Sequence, residues 1–192
     1  MTINKQQKII IITAPSGAGK TSITRYLLNK YADKLAFSIS AATRQPRGME
    51  KSGIDYYFMS EEDFTNKIQH EEFVEWEMVY KGKYYGTLKS ELQRIWSEGK
   101  APVLDIDVKG AIHVQQQFPD TALSIFIEPP SVDELKRRLM SRGTETEESL
   151  NTRVNKASYE ISFKNSFDKI IVNRDLEAAC KEAEQVILEF LQ

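Results

Sequence analysis

Short apolar runs alternate along this chain with segments in which apolar residues recur at helical spacing. Runs rich in β-branched and aromatic residues predict strands at residues 8–13, 36–41, 55–58, 73–79, 102–107, 122–127 and 169–173. Apolar positions three and four residues apart predict helices at 19–31, 61–70, 88–98, 109–117, 132–142, 147–165 and 175–191. Because the strands are separated by helices, the pattern predicts an α/β fold with a parallel β-sheet flanked by helices.

Two segments depart from this alternation. Between residues 36 and 86 the strands follow one another closely, with a hairpin turn at Lys81-Gly82, which predicts a small mixed-sheet lobe inserted into the core. Residues 131–165 read as two charged helices joined at Arg142-Gly143, a candidate lid, whose starts carry the capping boxes Ser131-x-x-Glu134 and Thr144-x-x-Glu147. We expect one domain over 1–192, with a core (1–37, 96–130 and 166–192), a lobe (38–95) and a lid (131–165).

Composition narrows the class of protein. With 26 basic and 28 acidic residues the net charge is −2, so no basic field predicts binding to nucleic acid or to a membrane. The polar start MTINKQQK is unlike a signal peptide, and the single cysteine, Cys180, excludes an internal disulfide; both favour the cytoplasm. The two histidines are far apart and form no zinc motif.

Residues 9–21 read IIIITAPSGAGKT, a buried strand followed by a glycine-rich turn and the start of a helix. Such a loop directs backbone N–H groups at the phosphates of a nucleotide, while Lys20 reaches the terminal phosphates and the Thr21 hydroxyl ligates Mg²⁺. The pattern G-x-x-x-x-G-K-[ST] is met except at its first glycine, which is Ala14 here; this substitution is costly only if φ must be positive. We expect the ATP-binding loop to comprise Ala14, Pro15, Ser16, Gly17, Ala18, Gly19, Lys20 and Thr21.

Asp105 and Asp107 lie two residues apart near the end of an apolar strand, so their side chains share one face of the sheet. Ligands bind at the carboxyl ends of strands in open α/β sheets, and a Mg²⁺–nucleotide site uses a strand-borne Asp to organise the water around the metal. The alternative is that either residue caps the helix that begins near Lys109.

Arg44 and Arg47 flank Pro46, which stiffens the loop between them, and two guanidinium groups at this spacing suit a phosphate. Considered alone, the spacing favours two solvated surface arginines. On spacing alone, the later segments containing Tyr56, Glu75 and Tyr85 read as the core of a β-lobe with polar tips.

Taken together, these segments resemble the guanylate kinase family over about residues 8–190. The matching runs are SGAGKT, the Ser-x-Ser-x-x-Thr-Arg-x-Pro-Arg stretch that begins at Ser38, GIDYYF, EFVEW, YYGT, LDIDVKG, FIEPPS, RGTETEE and IIVN. The resemblance implies a P-loop NTPase core, a GMP-binding lobe and a lid. It also implies the reaction ATP + GMP ⇌ ADP + GDP in purine nucleotide metabolism, with Mg²⁺ accompanying ATP.

The resemblance also implies roles for individual residues. It assigns the GMP phosphate to Arg44, Arg47, Tyr56 and Tyr85, guanine to Ser38, Glu75 and Thr87, and the metal and the GMP ribose to Asp105 and Asp107. It assigns phosphate contacts in the lid to Arg138, Arg142 and Arg153, and the neighbourhood of adenine to Asn173. The residues expected to act in catalysis are Lys20, Arg44, Arg138, Arg142 and Arg153, while Arg137 is expected at the surface.

The choice of base has a physical reason. Guanine presents N1–H and N2–H₂ as adjacent donors, which an ionised Glu75 accepts side by side, whereas adenine offers an acceptor at N1. Ala42 and the Gly48-Met49 pair depart from the family pattern in the loop that carries Arg44 and Arg47. Two alternatives stay open: a catalytically inactive guanylate-kinase-like binding module, and a kinase for another nucleotide such as AMP or UMP. The oligomeric state and the use of dGMP are also left open.

Overall fold

The computed structural model describes residues 7–141 and 147–192. Its helices are α1 (Lys20–Lys30), α2 (Glu61–Gln69), α3 (Lys89–Ser97), α4 (Val108–Gln117), α5 (Val132–Met140), α6 (Glu147–Ile161) and α7 (Leu176–Leu191). Its strands are β1 (Ile9–Thr13), β2 (Leu35–Phe37), β3 (Ala41–Ala42), β4 (Tyr57–Phe58), β5 (Phe73–Tyr80), β6 (Lys83–Leu88), β7 (Ala101–Asp105), β8 (Ala122–Glu128) and β9 (Lys169–Val172).

The chain divides into two compact units, and the first runs to Ala32 and resumes from Asp105 to the C-terminus. Its strands β1, β8 and β9 are parallel, with Ile9 opposite Ala122 and Ile125 opposite Lys169. The isoleucines at 9–12 are all fully buried, as expected for a parallel strand that is apolar on both faces. The α/β class predicted from the alternation of elements is confirmed here.

The second unit spans Asp33–Leu104. It contains the parallel pair β2–β7 and a four-stranded mixed sheet in the order β4-β3-β6-β5. The hairpin β5–β6 turns at Lys81-Gly82, where Gly82 adopts φ +73, so the predicted turn and the mixed sheet are confirmed. Helix α2 packs on this sheet through Phe64, which stacks on Phe73 at 4.3 Å between ring centroids.

Several bounds shift by one or two residues, and three elements differ further from the prediction. The strand expected at 36–41 is two strands, β2 and β3, separated by residues 38–40. Strand β6 was not predicted, because glycine and lysine dilute the apolar signal of its KYYGTL sequence. The long helix expected at 147–165 ends at Ile161 and is followed by one 3₁₀ turn at Lys164–Ser166.

The candidate lid segment contains both α5 and α6. Ser131 caps α5 by accepting a hydrogen bond from the Glu134 N–H at 3.1 Å, as its sequence predicts. The predicted joint at Arg142-Gly143 lies outside the described residues, and so does Thr144, the first residue of the second predicted capping box. Within the described chain, none of the helices has both the length and the apolar character needed to cross a membrane.

Candidate nucleotide sites

The loop between β1 and α1 takes its shape from its glycines. Gly17 and Gly19 adopt φ +94 and +100, a conformation that residues with a Cβ rarely take. A Cβ at Gly19 would also collide with the side-chain amide of Asn173. Across the described residues Glu71 is the only non-glycine residue with positive φ, so Ala14 replaces the usual glycine without backbone strain.

Hydrogen bonds fasten this loop from behind. The Ala18 N–H donates to the Pro15 carbonyl at 3.1 Å, and the Asn173 amide donates to the Ala18 carbonyl at 2.7 Å. Asn173 is 3% exposed and follows β9, where its own N–H donates to the Glu128 carbonyl at 2.8 Å. Asn173 therefore anchors the phosphate loop, and its predicted proximity to adenine stays a prediction.

A cavity of about 420 Å³ opens in front of the loop. Its lining comprises Ala14, Pro15, Ser16, Gly17, Gly19, Lys20, Thr21, Ser22, Asp105, Ile106, Asp107, Arg153, Lys156 and Glu160. Lys20 forms an ion pair with Asp105 inside it. Of the predicted loop residues Ala18 is the exception, because its side chain is fully buried behind the loop.

Asp107 also caps a helix. One of its carboxylate oxygens accepts hydrogen bonds from the N–H groups of Lys109 and Gly110, at 2.7 and 3.0 Å, and so begins α4. The capping role that the sequence left open for this residue is thus present, although the residue also lines the cavity. Asp105 instead faces Lys20.

The oxygen atoms lining the cavity fit a magnesium ion that arrives with a nucleotide. Thr21, Asp105 and Asp107 supply a hydroxyl and two carboxylates, the hard ligands that Mg²⁺ prefers. Among the described residues there is no group of three or more His, Cys, Asp or Glu able to hold a metal by themselves. This donor set therefore suits a cation whose remaining ligands are phosphate oxygens and water.

The predicted lid arginines lie in different surroundings. Arg153 lines the cavity, and its guanidinium donates to the Ser16 hydroxyl at 3.3 Å. Arg138 donates to the Glu134 carboxylate at 2.8 Å and to the Asn173 carbonyl at 3.0 Å. The side chain of Arg137 is 75% exposed, in line with the surface position expected for it. Arg142 lies outside the described residues.

In the second unit, the residues assigned to guanine include a buried pair on neighbouring strands. Glu75 on β5 and Thr87 on β6 are opposite each other in the register, 6% and 1% exposed, and the Thr87 hydroxyl donates to the Glu75 carboxylate at 2.7 Å. Ser38 is 2% exposed, and its hydroxyl has no hydrogen-bond partner within the described part of the chain. A buried hydroxyl without a partner is costly unless a ligand satisfies it.

The residues assigned to the acceptor phosphate gather around Arg44. Its guanidinium binds both oxygens of Glu50, at 2.5 and 2.8 Å, and stands 4.7 Å from the centroid of the Tyr56 ring. The Tyr56 and Tyr85 rings meet edge to face at 6.0 Å. The Arg44 guanidinium lowers the pKa of Glu50 to about 2, helped by the Arg47 N–H, which donates at 2.8 Å. The carboxylate of Glu50 thus occupies the fork that the sequence assigns to a phosphate, while Arg47 is exposed.

The sequence matches the guanylate kinase family over residues 6–190. The chain belongs to the guanylate kinase family. A guanylate kinase of Bacteroides fragilis is 48% identical over 97% of this chain and 91% of its own length. One from Porphyromonas gingivalis is 47% identical over 96% of this chain and 98% of its own length. The crystal structure of guanylate kinase from Anaplasma phagocytophilum matches with a TM-score of 0.73 at 30% identity, covering 96% of this chain and 87% of that one.

Two charged cavity residues, Lys156 and Glu160, were missed by the guanylate kinase resemblance. Lys156 and Glu160 follow Arg153 at i+3 and i+7, so all three share one face of α6. The Lys156 ammonium is 3.6 Å from the Glu160 carboxylate, and burial raises the pKa of that carboxylate. Helical spacing from Arg153 was the signal in the sequence that could have identified them.

Proposed function

We propose that this chain is an active guanylate kinase, which transfers the γ-phosphoryl group of ATP to GMP and gives ADP and GDP reversibly. The buried Glu75–Thr87 pair carries the proposal, because its carboxylate matches the adjacent N1–H and N2–H₂ donors of guanine. Adenine would place an acceptor against this carboxylate, and a buried carboxylate left unpaired costs several kcal/mol. The Ser38 hydroxyl then donates to guanine O6, and the Thr87 hydroxyl does so once it turns away from Glu75.

The donor nucleotide binds in the cavity at the phosphate loop. Backbone N–H groups of the loop and the N-terminus of α1 bind the phosphates, and Lys20 exchanges the Asp105 carboxylate for a terminal phosphate. Mg²⁺ accompanies ATP; when bound, it neutralises charge on the phosphates. Thr21 would hold it directly, and Asp105 and Asp107 through water.

The acceptor phosphate takes the place of Glu50 on Arg44. A phosphate offers the same bidentate geometry as a carboxylate with more charge, so it competes for the guanidinium fork. Arg47, Tyr56 and Tyr85 complete the binding of this phosphate. Asp105 and Asp107 also serve the GMP ribose.

Catalysis consists of alignment and charge neutralisation. A GMP phosphate oxygen is already anionic, so no strong base is needed to activate it. Lys20, together with Arg138, Arg142 and Arg153, stabilises the transferred group while Arg44 holds the acceptor in line. Exclusion of water from the closed site would suppress ATP hydrolysis.

The test is a coupled assay of ADP release with Mg–ATP and, in turn, GMP, dGMP, AMP, CMP or UMP. We expect turnover with GMP to exceed turnover with AMP, CMP and UMP. Faster turnover with AMP than with GMP would overturn the assignment of the base. Absence of turnover with every acceptor would favour the inactive binding module. The intact Lys20, Thr21 and Arg153 at the donor cavity support the enzyme over that module.

The proposed setting is the cytoplasm, in purine nucleotide metabolism. The single cysteine, Cys180, is buried, and burial raises the pKa of its thiol, so it is an unreactive core residue. A chain without a disulfide suits a reducing compartment.

A further inference from the structure

Glu91 is a buried carboxylate that none of the assigned roles includes. It lies in the first turn of α3 and its side chain is 1% exposed. Four donors reach it: the Ile39 N–H at 2.9 Å, the Tyr57 hydroxyl at 2.8 Å, and two N–H groups of Arg94 at 2.8 and 2.9 Å. A buried carboxylate is stable only when it is bonded in this way.

Two of these hydrogen-bond donors belong to residues that directly follow positions assigned to the acceptor nucleotide. Ile39 follows Ser38 in the segment between β2 and β3, and Tyr57 follows Tyr56. The Ser38 N–H donates to the Val103 carbonyl at 3.0 Å, and the Tyr57 N–H donates to the Ser40 carbonyl at 2.9 Å. Along the chain, the Ile39 N–H lies between these two hydrogen bonds, and it donates to Glu91. Glu91 therefore fixes the turn that presents the Ser38 hydroxyl.

Tyr57 connects Glu91 to the acceptor phosphate site through the strand. Neighbouring side chains on a strand point to opposite faces, so Tyr57 faces Glu91 while Tyr56 and Phe58 share the other face. On that face the Arg44 guanidinium lies 4.7 Å from the Tyr56 ring and 5.4 Å from the Phe58 ring. Fixing the Tyr57 hydroxyl therefore fixes the faces on which Arg44 rests.

We propose that Glu91 is a positioning residue for the acceptor nucleotide: through Ile39 it orients Ser38, and through Tyr57 it orients the Tyr56 strand and Arg44. This inference rests on the proposed function. Glu91 itself touches no substrate. Arg94 balances its charge, and the hydrogen bonds from Arg94, Ile39 and Tyr57 hold the pKa of the carboxyl below its ordinary value although burial raises it.

The test compares Glu91→Gln with Glu98→Gln. Glu98 lies at the C-terminal end of α3 and accepts a hydrogen bond from the same Arg94 at 2.7 Å, but its side chain is 41% exposed. In Glu91→Gln the amide NH₂ faces donors that it cannot accept from, which loosens both Ile39 and Tyr57. We expect the KM for GMP to rise about tenfold and the KM for ATP to stay within about twofold, since hydrogen bonds to a charged group are among the stronger ones. Glu98→Gln should change neither constant.

Two further measurements separate positioning from general destabilisation. Hydrogen exchange of the Ile39 amide should accelerate in Glu91→Gln and not in Glu98→Gln. If Glu91→Gln does not fold, Tyr57→Phe removes one of the four hydrogen bonds and should raise the KM for GMP about threefold, with the KM for ATP unchanged.

Three outcomes would overturn the role of Glu91: an unchanged KM for GMP in a folded variant, equal rises in both KM values, or a fall in kcat alone. Wild-type protein that does not phosphorylate GMP would instead refute the proposed function, and the acceptor role of Glu91 with it. Wild-type turnover of GMP alongside an unaffected variant would refute the role of Glu91 only.

Discussion

The phosphate loop of the first unit is shaped by its backbone. In the second unit, pairs of charged and polar side chains hold the residues proposed to bind the acceptor nucleotide; we call Arg44, Glu50, Glu75 and Thr87 the acceptor cluster. In the loop, the left-handed Gly17 and Gly19 set the path of the chain and the Asn173 amide fastens it. In the acceptor cluster, the Arg44 guanidinium donates to the Glu50 carboxylate, and the Thr87 hydroxyl donates to the Glu75 carboxylate. The loop should therefore be sensitive to an added Cβ, and the acceptor cluster to a lost charge.

The two regions also differ in how their cations are balanced. Lys20 faces Asp105, and Arg44 faces Glu50, so each cation is paired with a carboxylate that a phosphate can replace. The difference is that the Arg44 pair is bidentate and packed against aromatic rings, which makes it the more rigid of the two.

Lys20→Met tests the donor side and should have the largest effect. It removes the cation that neutralises the terminal phosphates, so we expect kcat/KM to fall by about 10²–10³-fold in the coupled assay. Lys181→Met is the control, because that side chain is 68% exposed and pairs only with Glu177 across one helical turn in the described structure. Near wild-type turnover in Lys20→Met would refute the role of Lys20.

Glu75→Gln tests the acceptor side. The amide turns a donor toward the donors of guanine, so kcat/KM for GMP should fall by about 10²-fold while the KM for ATP is unchanged. Glu72→Gln is the matched control, since this exposed acid lies just before β5 and binds Lys67 at 2.7 Å. If kcat/KM fell equally for GMP and for ATP, Glu75 would support the fold and not the choice of base.

Gly19→Ala tests the backbone-shaped loop directly. An alanine there meets φ +100 and the Asn173 amide, so we expect a loss of about 1–2 kcal/mol in the free energy of unfolding and a raised KM for ATP. Gly99→Ala is the control: its φ is +73, and no described atom would lie within 4 Å of the new Cβ. In Gly99→Ala the free energy of unfolding should fall by about 1 kcal/mol, and the KM for ATP should stay unchanged. Urea titration and kinetics measure both, and equal KM values in the two variants would contradict the proposed shaping of the loop.

Glu50→Gln should have the smallest effect on turnover and a distinctive pH dependence. Freed from its carboxylate, Arg44 should bind the acceptor phosphate more readily, so the KM for GMP should fall a few-fold. The pKa of Glu50 is lowered to about 2 in the folded chain, so its stabilising contribution is present above the unfolded pKa near 4.5. It is lost as the pH falls from about 4.5 through 2. The difference in Tm between wild type and variant should shrink over that window; a constant difference would contradict it.

The elements were predictable where the local pattern is strong. The four isoleucines of β1, the glycine turn and the helical spacing of α1 lie in one stretch, so the phosphate loop followed from local residues. Strand β6 did not, because its sequence carries a weak apolar signal, and the division of residues 36–41 did not, because β2 pairs with β7 and β3 with β6, strands distant in sequence. The helix predicted at 147–165 ends at Ile161, and Phe163, which extended the apolar pattern, lies beyond it.

For the candidate sites, the residue types were predictable and their partners were not. The role expected of Arg44 came from the family resemblance, but its pairing with Glu50 depends on how the loop folds back on itself. Lys156 and Glu160 belong to the site only because α6 lines the cavity. No sequence pattern singled out Glu91, whose burial depends on the packing of α3.

The sequence by itself determined that this chain holds a nucleotide phosphate, because a glycine loop, Lys20 and Thr21 act through local backbone geometry. It also determined the family, through many short runs in order. The tertiary structure decided which charges are buried and paired: Lys20 with Asp105, Arg44 with Glu50, and Glu91 with Ile39 and Tyr57. Pairing of this kind depends on groups far apart in the chain meeting in a region of low dielectric, and no local pattern encodes that meeting.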